Sequence, residues 1–457
     1  MKIKLTESKV CVFLMALLVF LDLDPFFVWD SVSTIGYRIY TGVILVTTIF
    51  MAYRIFIKKR IVAGMVPELT DRTHINLSLF LASTLVVLLF FYEVFCSGVI
   101  TVTQQPFNMA MLCIHLGLMF FSLQDNITLR SVFLWSKKIF AISLIPAIVV
   151  FLLIQFGIAL PRVSLLADAG KEMVGQSYDL YFGVSTMIRQ NGGLLNRLCG
   201  MYREPGFVGT MGAMFFFGDK LTLKKWENVV ILLAGVCTFS LAFVLLLILG
   251  LLLRSVGNMK KRTNAVASTS VILALVVGYF VFMSLPLNED TMLGVLQGRL
   301  EITAEGLAGD NRFGSSEWAI AAYDEFLESD LKTRLLGYGK DPRVVPGTAI
   351  SIWQAVHSYK EFVFGFGFLG LALTIASFVL VVLAKYRKVP KGQRWSIFAL
   401  IVIFLVSIYQ RYMVTNFHYY CVLFGGAANL ALMGVPSENE GEQASETAPR
   451  RRIVVRW

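Results

Sequence analysis

The chain has 457 residues, of which 56% are hydrophobic and only 16% are charged, and its mean hydropathy is +0.70. Soluble domains carry about 25% charged residues, so this chain lacks the polar side chains that would cover a water-soluble surface. The formal net charge of +11 would suggest nucleic acid in a soluble protein, but most of it lies in short patches between apolar runs, which excludes that partner.

The apolar runs predict membrane-spanning helices, each of which needs about 20 apolar residues. The first run follows three lysines, as a signal peptide does, but it lacks a small-x-small cleavage site, so we predict a membrane helix there. The predicted spans in chain order are 8–22, 37–56, 75–95, 107–123, 133–157, 206–218, 229–253, 265–287, 359–384, 395–410 and 417–434.

The run 229–253 allows two interpretations. A single crossing would place the basic cluster that begins at Arg254 outside, with no acid to balance it. A turn near Thr238–Ser240 would instead make two short helices and return the chain to the cytoplasm, where basic loops are favoured. The second interpretation satisfies every basic loop. Half-length crossings of this kind need protein neighbours to shield their turn.

The loop charges then give a topology. Segment 22–36 has three aspartates and no Lys or Arg, and segment 96–106 has no charge, while the alternate loops are basic. By the positive-inside rule we predict an all-α, polytopic membrane protein with about twelve helices and both termini cytoplasmic. It forms a single transmembrane domain over 1–434 with a disordered tail over 435–457.

Two segments on the predicted outer side are too long for plain connections. Segment 158–205 has five basic and four acidic residues, and 288–357 has six basic and eleven acidic ones. Within the second, Ser316 as N-cap, Glu317 in the first turn and the spacing of Trp318, Ala322 and Phe326 predict an amphipathic helix.

The first outer segment carries three arginines in fifteen residues, where the positive-inside rule does not require them: Arg189, Arg197 and Arg203. Arginine suits phosphate because its planar fork binds two oxygens and keeps its charge. A solvated loop whose arginines pair with nearby acids is the competing interpretation. The second segment adds Arg299 and Arg312.

Two further residues could move protons. Glu204 precedes Pro205 and Gly206 at the start of a span, where an acid can either complement the helix dipole or accept a hydroxyl proton. His357 lies four positions before Glu361 at the start of another span, and it could act as base, acid or phosphate ligand, or only lie at the interface. His74, His115 and His418 are given no role. The cysteines show no CxxC or His/Cys cluster, and the outer segments show no metal-binding pair.

These motifs resemble the superfamily of O-antigen polymerases and O-antigen ligases of bacterial polysaccharide assembly. Gly200 follows Arg189 by eleven positions, and Gly200-Met-Tyr-Arg-Glu-Pro-Gly206 resembles the family's run at the start of a helix. The split helix pair at Thr238–Ser240 and the His357-Ser-Tyr segment are similar to further features of the family.

The resemblance implies a glycosyltransferase of the bacterial inner membrane that polymerises an O-antigen-like polysaccharide. Since the outer segments show no metal-binding pair, we expect it to need no metal ion, and we expect no cofactor. Its substrate would be an undecaprenyl-diphosphate-linked oligosaccharide on the periplasmic side, and a chain-length regulator of the same pathway is an implied partner. The arginines at 189, 197, 203, 299 and 312 would bind the diphosphate, and His357 or Glu204 would act on the acceptor hydroxyl. A ligase that transfers the finished glycan to lipid A–core is an open alternative. A flippase or transporter for the same lipid-linked glycan is another, as is a non-enzymatic subunit of an export complex.

Overall fold

The computed structural model gives a predominantly helical protein with two small antiparallel sheets. Its helical character confirms that part of the predicted fold class. The structure describes these residues: 7–28, 34–53, 81, 84–89, 92, 114, 117, 126–165, 177–190, 195–258, 262–287, 292–303, 306–307, 317–338, 359–386, 389, 391–410 and 416–433.

The helices of the described residues follow the predicted apolar runs closely. Their bounds are α1 Glu7–Asp22, α2 Thr34–Ala52, α3 Asn126–Gln155, α4 Pro205–Gly218, α5 Trp226–Cys237, α6 Leu241–Asn258, α7 Arg262–Ser284, α8 Met292–Leu300, α9 Glu317–Glu328, α10 Leu331–Leu336, α11 Tyr359–Tyr386, α12 Lys391–Gln410 and α13 Phe417–Ala431. A 3₁₀ turn, Phe26–Val28, follows α1.

Helices α4 and α13 form the centre of the protein. Every residue of α13 is buried, and so is every residue of α4 except the half-buried Phe207. Both helices are largely apolar around their circumference, as is usual for a helix enclosed by others. Their backbones approach closely at two glycines: a Cβ added to Gly218 would lie only 3.1 Å from the Cα of Gly426. Helices α1, α3, α5, α6 and α12 pack around this pair.

The predicted break in the run 229–253 is confirmed. Helix α5 ends at Cys237 and α6 begins at Leu241, with Phe239 at a φ of 48° in the turn between them. The start of α5 lies at the end of α4, since Asn228 hydrogen-bonds Asp219, and the end of α6 returns there, since Arg254 donates to the carbonyl of Lys220 over 3.0 Å. The two helices therefore run antiparallel, and their turn lies at the opposite end of α4.

Segment 158–205, predicted as a loop, instead contains a four-stranded sheet. Its strands are paired in chain order and antiparallel: β1 Arg162–Leu165, β2 Ser177–Tyr181, β3 Ser185–Gln190 and β4 Leu195–Gly200. Three residues, 182–184, connect β2 to β3, and the first two, Phe182 and Gly183, have positive φ. Such a turn matches the twist of the flanking strands. The predicted all-α fold class did not include this sheet, because its strands are short and Phe182 is an unusual residue for a left-handed position.

The predicted amphipathic helix is confirmed as α9. Its Phe326 is fully buried against Phe364 of α11, with ring centroids 5.1 Å apart. The chain after α10 packs on α11 through its backbone, because the N–H of Tyr338 donates to the carbonyl of Phe364 over 2.7 Å. Helix α11 is interrupted at this contact by Gly367, whose φ is 67°. Strands β5 Ile302–Thr303 and β6 Gly306–Leu307 form the second sheet.

Two of the described helical segments, Asn126–Gln155 and Phe362–Tyr386, are long and apolar enough to cross a membrane. Several shorter apolar helices accompany them, among them α4, α5 and most of α6. Most of the predicted spans 75–95 and 107–123 and the whole tail 435–457 lie outside the described residues. The count of twelve crossings stays a prediction.

Candidate functional site

The structure brings three of the predicted site residues to one end of α4, which we call the sheet end. Arg197 lies on β4, and Arg203 and Glu204 lie in the short segment between β4 and α4. Arg189 lies on β3 and Arg299 on α8, but the description covers only their backbones. His357 and Arg312 lie outside the described residues.

Arg197 is engaged with the turn between α5 and α6. Its Nε donates to the carbonyl of Thr238 over 3.1 Å and its Nη2 to the carbonyl of Phe239 over 3.3 Å. Because α5 ends here, no backbone N–H of a following helical turn donates to these two carbonyls. The guanidinium of Arg197 donates to them instead. Arg197 thus fixes the turn to the sheet, a role that its charge and position alone did not indicate.

The segment that carries Arg203 is held by its backbone. The hydroxyl of Tyr178 donates to the carbonyl of Arg203 over 2.6 Å, and Thr186 Oγ1 donates to the carbonyl of Gly200 over 2.9 Å. Beneath the segment, the Tyr202 ring is fully buried and its hydroxyl lies 2.7 Å from Ser143 Oγ. Burial raises the pKa of Tyr202 despite the opposing effect of its hydrogen bond with Ser143, so the phenol stays neutral.

The side chains of Arg203 and Glu204 face the surface of this end. The Arg203 side chain is 47% exposed and its Nη1 lies 3.7 Å from Asp24 Oδ2, a long ion pair between two exposed groups. Glu204 is the half-buried N-cap residue of α4, and its side chain makes no capping hydrogen bond. Because nearly half of this side chain is exposed, its guanidinium can contact an anion at the surface.

An Asp–His pair, in which the histidine is buried and the aspartate is partly buried, lies at the same end and was missed in the sequence. Asp22 closes α1, and His418 lies in the first turn of α13. Asp22 Oδ2 lies 2.8 Å from both His418 Nδ1 and the His418 backbone N, and the Tyr40 hydroxyl donates to Asp22 Oδ1 over 2.8 Å. We call Asp22, Tyr40 and His418 the His418 cluster. The pairing joins residues 396 positions apart, so no local motif could reveal it.

The other ring nitrogen of the pair has no such partner. His418 Nε2 is buried and makes no hydrogen bond within the described part of the chain. The imidazole packs edge-to-face on Phe207 of α4, with ring centroids 5.3 Å apart. The His418 cluster and Arg203 involve the same two stretches of chain. Phe207, which packs on His418, is four residues after Arg203, and Asp24, which pairs with Arg203, is two residues after Asp22.

A second buried polar cluster lies at the opposite end of α4, which we call the Asp219 end. Asp219 is fully buried and accepts hydrogen bonds from four side chains, at 2.5 to 3.3 Å: Lys137, Lys225, Asn228 and Asn429. Lys137 is also buried, and its Nζ donates to Asn228 Oδ1 as well. We call these five residues the Asp219 cluster. It joins α3, α4, α5 and α13.

The ionised form of Asp219 is favoured by this arrangement. Burial alone would raise the pKa of Asp219, but the hydrogen bonds and charges of Lys137 and Lys225 outweigh it and lower the pKa. Each oxygen of the carboxylate has two donors, so nothing is left for a ligand. The Asp219 cluster is therefore a structural anchor.

Within the described part of the chain, no three His, Cys, Asp or Glu side chains lie close enough together to hold a metal ion. Compared with known protein families, curated proteins and solved structures, the chain has no significant match.

Proposed function

We propose that this protein is a membrane-embedded glycosyltransferase that polymerises an O-antigen-like polysaccharide from undecaprenyl-diphosphate-linked units. The observation that carries the proposal is the exposed Arg203, adjacent to Glu204, at the start of the wholly enclosed helix α4. A cation and a carboxylate at the rim of an apolar helical body suit a substrate with a charged diphosphate, a sugar hydroxyl and a lipid tail.

A membrane setting is supported by the surfaces of the outer helices. On α3, Trp135, Ile142 and Val149 are exposed and recur every seven residues, which places them on one face. On α7, Leu273, Val277 and Phe280 are exposed in the same manner. Contiguous apolar faces of this kind are unfavourable in water and favourable in lipid. We propose about twelve crossings in a bacterial inner membrane, with both termini in the cytoplasm.

The orientation rests on the charges at the two ends of α4. The turn at the Asp219 end carries Lys220, Lys224 and Lys225, and Arg254 joins it from α6. Basic turns favour the cytoplasmic side, so the sheet end is periplasmic in our proposal. Donor and acceptor would meet there, at the boundary between the lipid and the periplasm.

The proposed chemistry needs little more than positioned charge. The diphosphate leaves with a growing negative charge, which Arg203 stabilises, together with the predicted contributions of Arg189, Arg299 and Arg312. The acceptor hydroxyl gives up its proton to a base, for which Glu204 and His357 are the sequence-based candidates. We expect no metal ion to take part.

The test is the polysaccharide of a deletion strain that expresses variants of this protein. Arg203→Ala should abolish chain extension at normal protein level and leave a single capped repeat unit. The matched control is Arg162→Ala on β1, because Arg162 is also an exposed arginine, 46% accessible, paired with an aspartate of the same outer segment. It should leave the banding unchanged.

The same gels separate the alternatives. A deletion strain with no capped core, but with lipid-linked polymer, would indicate a ligase. Lipid-linked repeat units confined to the inner leaflet would indicate a flippase. Long polysaccharide from the Arg203→Ala strain would remove Arg203 from the site and withdraw the observation on which the proposal rests.

A further inference from the structure

The buried Nε2 of His418 needs a physical explanation. A buried polar atom without a hydrogen bond carries a penalty of about 1–3 kcal/mol, so each such atom calls for a physical explanation. The rest of the imidazole is fully used, because Nδ1 and the backbone N of the same residue both reach Asp22 Oδ2 at 2.8 Å. The side chain is therefore held firmly, with one nitrogen left over.

The hydrogen bonds around Asp22 determine which nitrogen carries the proton. A carboxylate only accepts, so His418 Nδ1 must be the donor toward Asp22. Tyr40 donates to the other oxygen of Asp22 and keeps the carboxylate oriented. In the neutral imidazole, Nε2 then has a lone pair and is a hydrogen-bond acceptor. An acceptor in this position is completed by a donor from outside the chain, such as a hydroxyl group.

We infer that His418 Nε2 receives the proton of the acceptor sugar hydroxyl, with Asp22 and Tyr40 as positioning residues. This inference deepens the proposed function and rests on it. As the hydroxyl oxygen bonds to the anomeric carbon of the donor sugar, the bond from that carbon to the diphosphate oxygen breaks. The electron pair leaves with the diphosphate, beside Arg203, and the hydroxyl proton moves to Nε2. The step balances without a metal ion or another reactant.

The surroundings of the pair fit this role. Phe207, the one residue of α4 that is not fully buried, packs on the imidazole, and Arg203 lies one turn earlier in the chain. The Nε2 atom is closed to solvent in this structure, with the Phe207 ring against the imidazole. The proposed proton transfer therefore requires the Phe207 ring to move aside so that the acceptor hydroxyl can reach Nε2.

The experiment uses the full-length protein purified in detergent with a matched set of variants. His418→Asn keeps an N–H that can reach Asp22 but has no atom at the Nε2 position. His418→Gln places an amide near that position but cannot accept a proton. Asp22→Asn keeps an acceptor for His418 and removes the charge. Transfer to the acceptor is measured with lipid-linked repeat units, and binding is measured separately with undecaprenyl diphosphate.

We expect both His418 variants to lose roughly 100-fold or more in transfer rate, which is the usual contribution of a general base. Their melting temperatures and their affinity for undecaprenyl diphosphate should stay close to the wild type. Asp22→Asn should lower kcat with little change in KM, because it alters the basicity and orientation of His418 and leaves substrate contacts in place. A purely structural role would not produce that separation.

Three results would overturn the inference, and they differ in what else they affect. Transfer by folded His418→Asn at the wild-type rate would remove His418 from the reaction and leave the proposed function intact. Failure of all three variants to fold would assign the pair to packing alone. A wild-type protein that neither transfers glycan nor binds undecaprenyl diphosphate would overturn the proposed function itself.

Discussion

The two ends of helix α4 carry buried polar clusters that differ in one respect. At the Asp219 end, the carboxylate receives hydrogen bonds from four side chains, and each of its oxygens has two donors. At the sheet end, Asp22 is equally well held, but its partner His418 keeps one buried nitrogen without a hydrogen bond in the described residues. The first cluster is complete and the second needs a donor from outside.

This difference separates two uses of buried charge. A completed cluster fixes the packing of the helices around it, and removing a member leaves an uncompensated charge in the interior. An incomplete cluster gives up some stability to hold a reactive atom in a fixed orientation. Variants at the Asp219 end should therefore change stability and leave turnover alone, whereas variants of His418 should do the reverse.

The largest expected effect on stability is at the Asp219 end. Asp219→Ala leaves Lys137 buried with only Asn228 to accept from it, which should lower the unfolding free energy by about 3–5 kcal/mol. Thermal unfolding in detergent measures the loss, and turnover per folded molecule should be unchanged. Lys225→Ala is the control, because this lysine is 43% exposed and its pair should contribute less than about 1 kcal/mol. A fall in turnover with normal stability would break the comparison.

The contribution of the Asp219 cluster to stability should also depend on pH in the wild-type protein. The pKa of Asp219 is lowered in the folded state, so its stabilisation is complete above the unfolded value near 4 and is lost as the pH falls through the folded value. The melting temperatures of wild type and Asp219→Asn should therefore differ by a constant amount from about pH 7 to 5 and should begin to converge as the pH falls below about 4. Convergence near neutral pH would show that Asp219 is not ionised in the fold.

A smaller effect is expected for the arginine that the sheet end uses as an anchor. Arg197→Ala removes two charged hydrogen bonds to the turn between α5 and α6, which should lower the unfolding free energy by about 1.5–3 kcal/mol. Its affinity for undecaprenyl diphosphate should stay at the wild-type value, in contrast to Arg203→Ala. Equal losses of affinity in both variants would return Arg197 to the diphosphate site.

Close packing at the Asp219 end gives the next prediction. A Cβ at position 218 would lie 2.6 Å from Phe133 Cζ, so Gly218→Ala should lower the unfolding free energy by about 1–3 kcal/mol. Gly42→Ala on α2 is the matched control, because no atom lies within 4 Å of the added Cβ, and it should be neutral or stabilising by up to about 1 kcal/mol. Equal effects in the two variants would show that α4 does not pack against α3 as described.

The smallest expected effect lies beneath Arg203. Ser143 Oγ already donates to the carbonyl of Phe140, so the Tyr202 hydroxyl is the donor of the Tyr202–Ser143 bond. Tyr202→Phe removes that bond and leaves Ser143 its own, which should lower the unfolding free energy by about 0.5–1.5 kcal/mol. Polysaccharide length should not change. A shorter polysaccharide at normal stability would show that this bond positions Arg203.

The helical part of the fold could be predicted from the sequence because long apolar runs and basic turns are local signals. The break at Thr238–Ser240 followed from loop charge alone. The sheet was missed because its strands are four to six residues long and the turn at Phe182–Gly183 lacks the Asn-Gly or Asp-Gly pair that predicts such hairpins.

The candidate site was predictable only in part, for a different reason. Arg203 and Glu204 are adjacent in the chain, so the sequence alone shows that a cation and a carboxylate lie side by side. Arg197 carries the same charge, but its hydrogen bonds to the α5–α6 turn depend on folding. The Asp22–His418 pair joins the two ends of the described chain, and a single histidine in an aromatic segment gives no sign of a partner.

The proposed function requires the two ends of α4 to lie on opposite sides of the membrane. Single cysteines at Val184, in the turn between β2 and β3, and at Leu223, in the turn at the Asp219 end, would test this, since both side chains are exposed. In intact spheroplasts, a membrane-impermeant maleimide should label the cysteine at 184 and should reach the one at 223 only after permeabilisation. Labelling of 223 from outside, or protection of 184, would place the candidate site in the cytosol and contradict the proposed function.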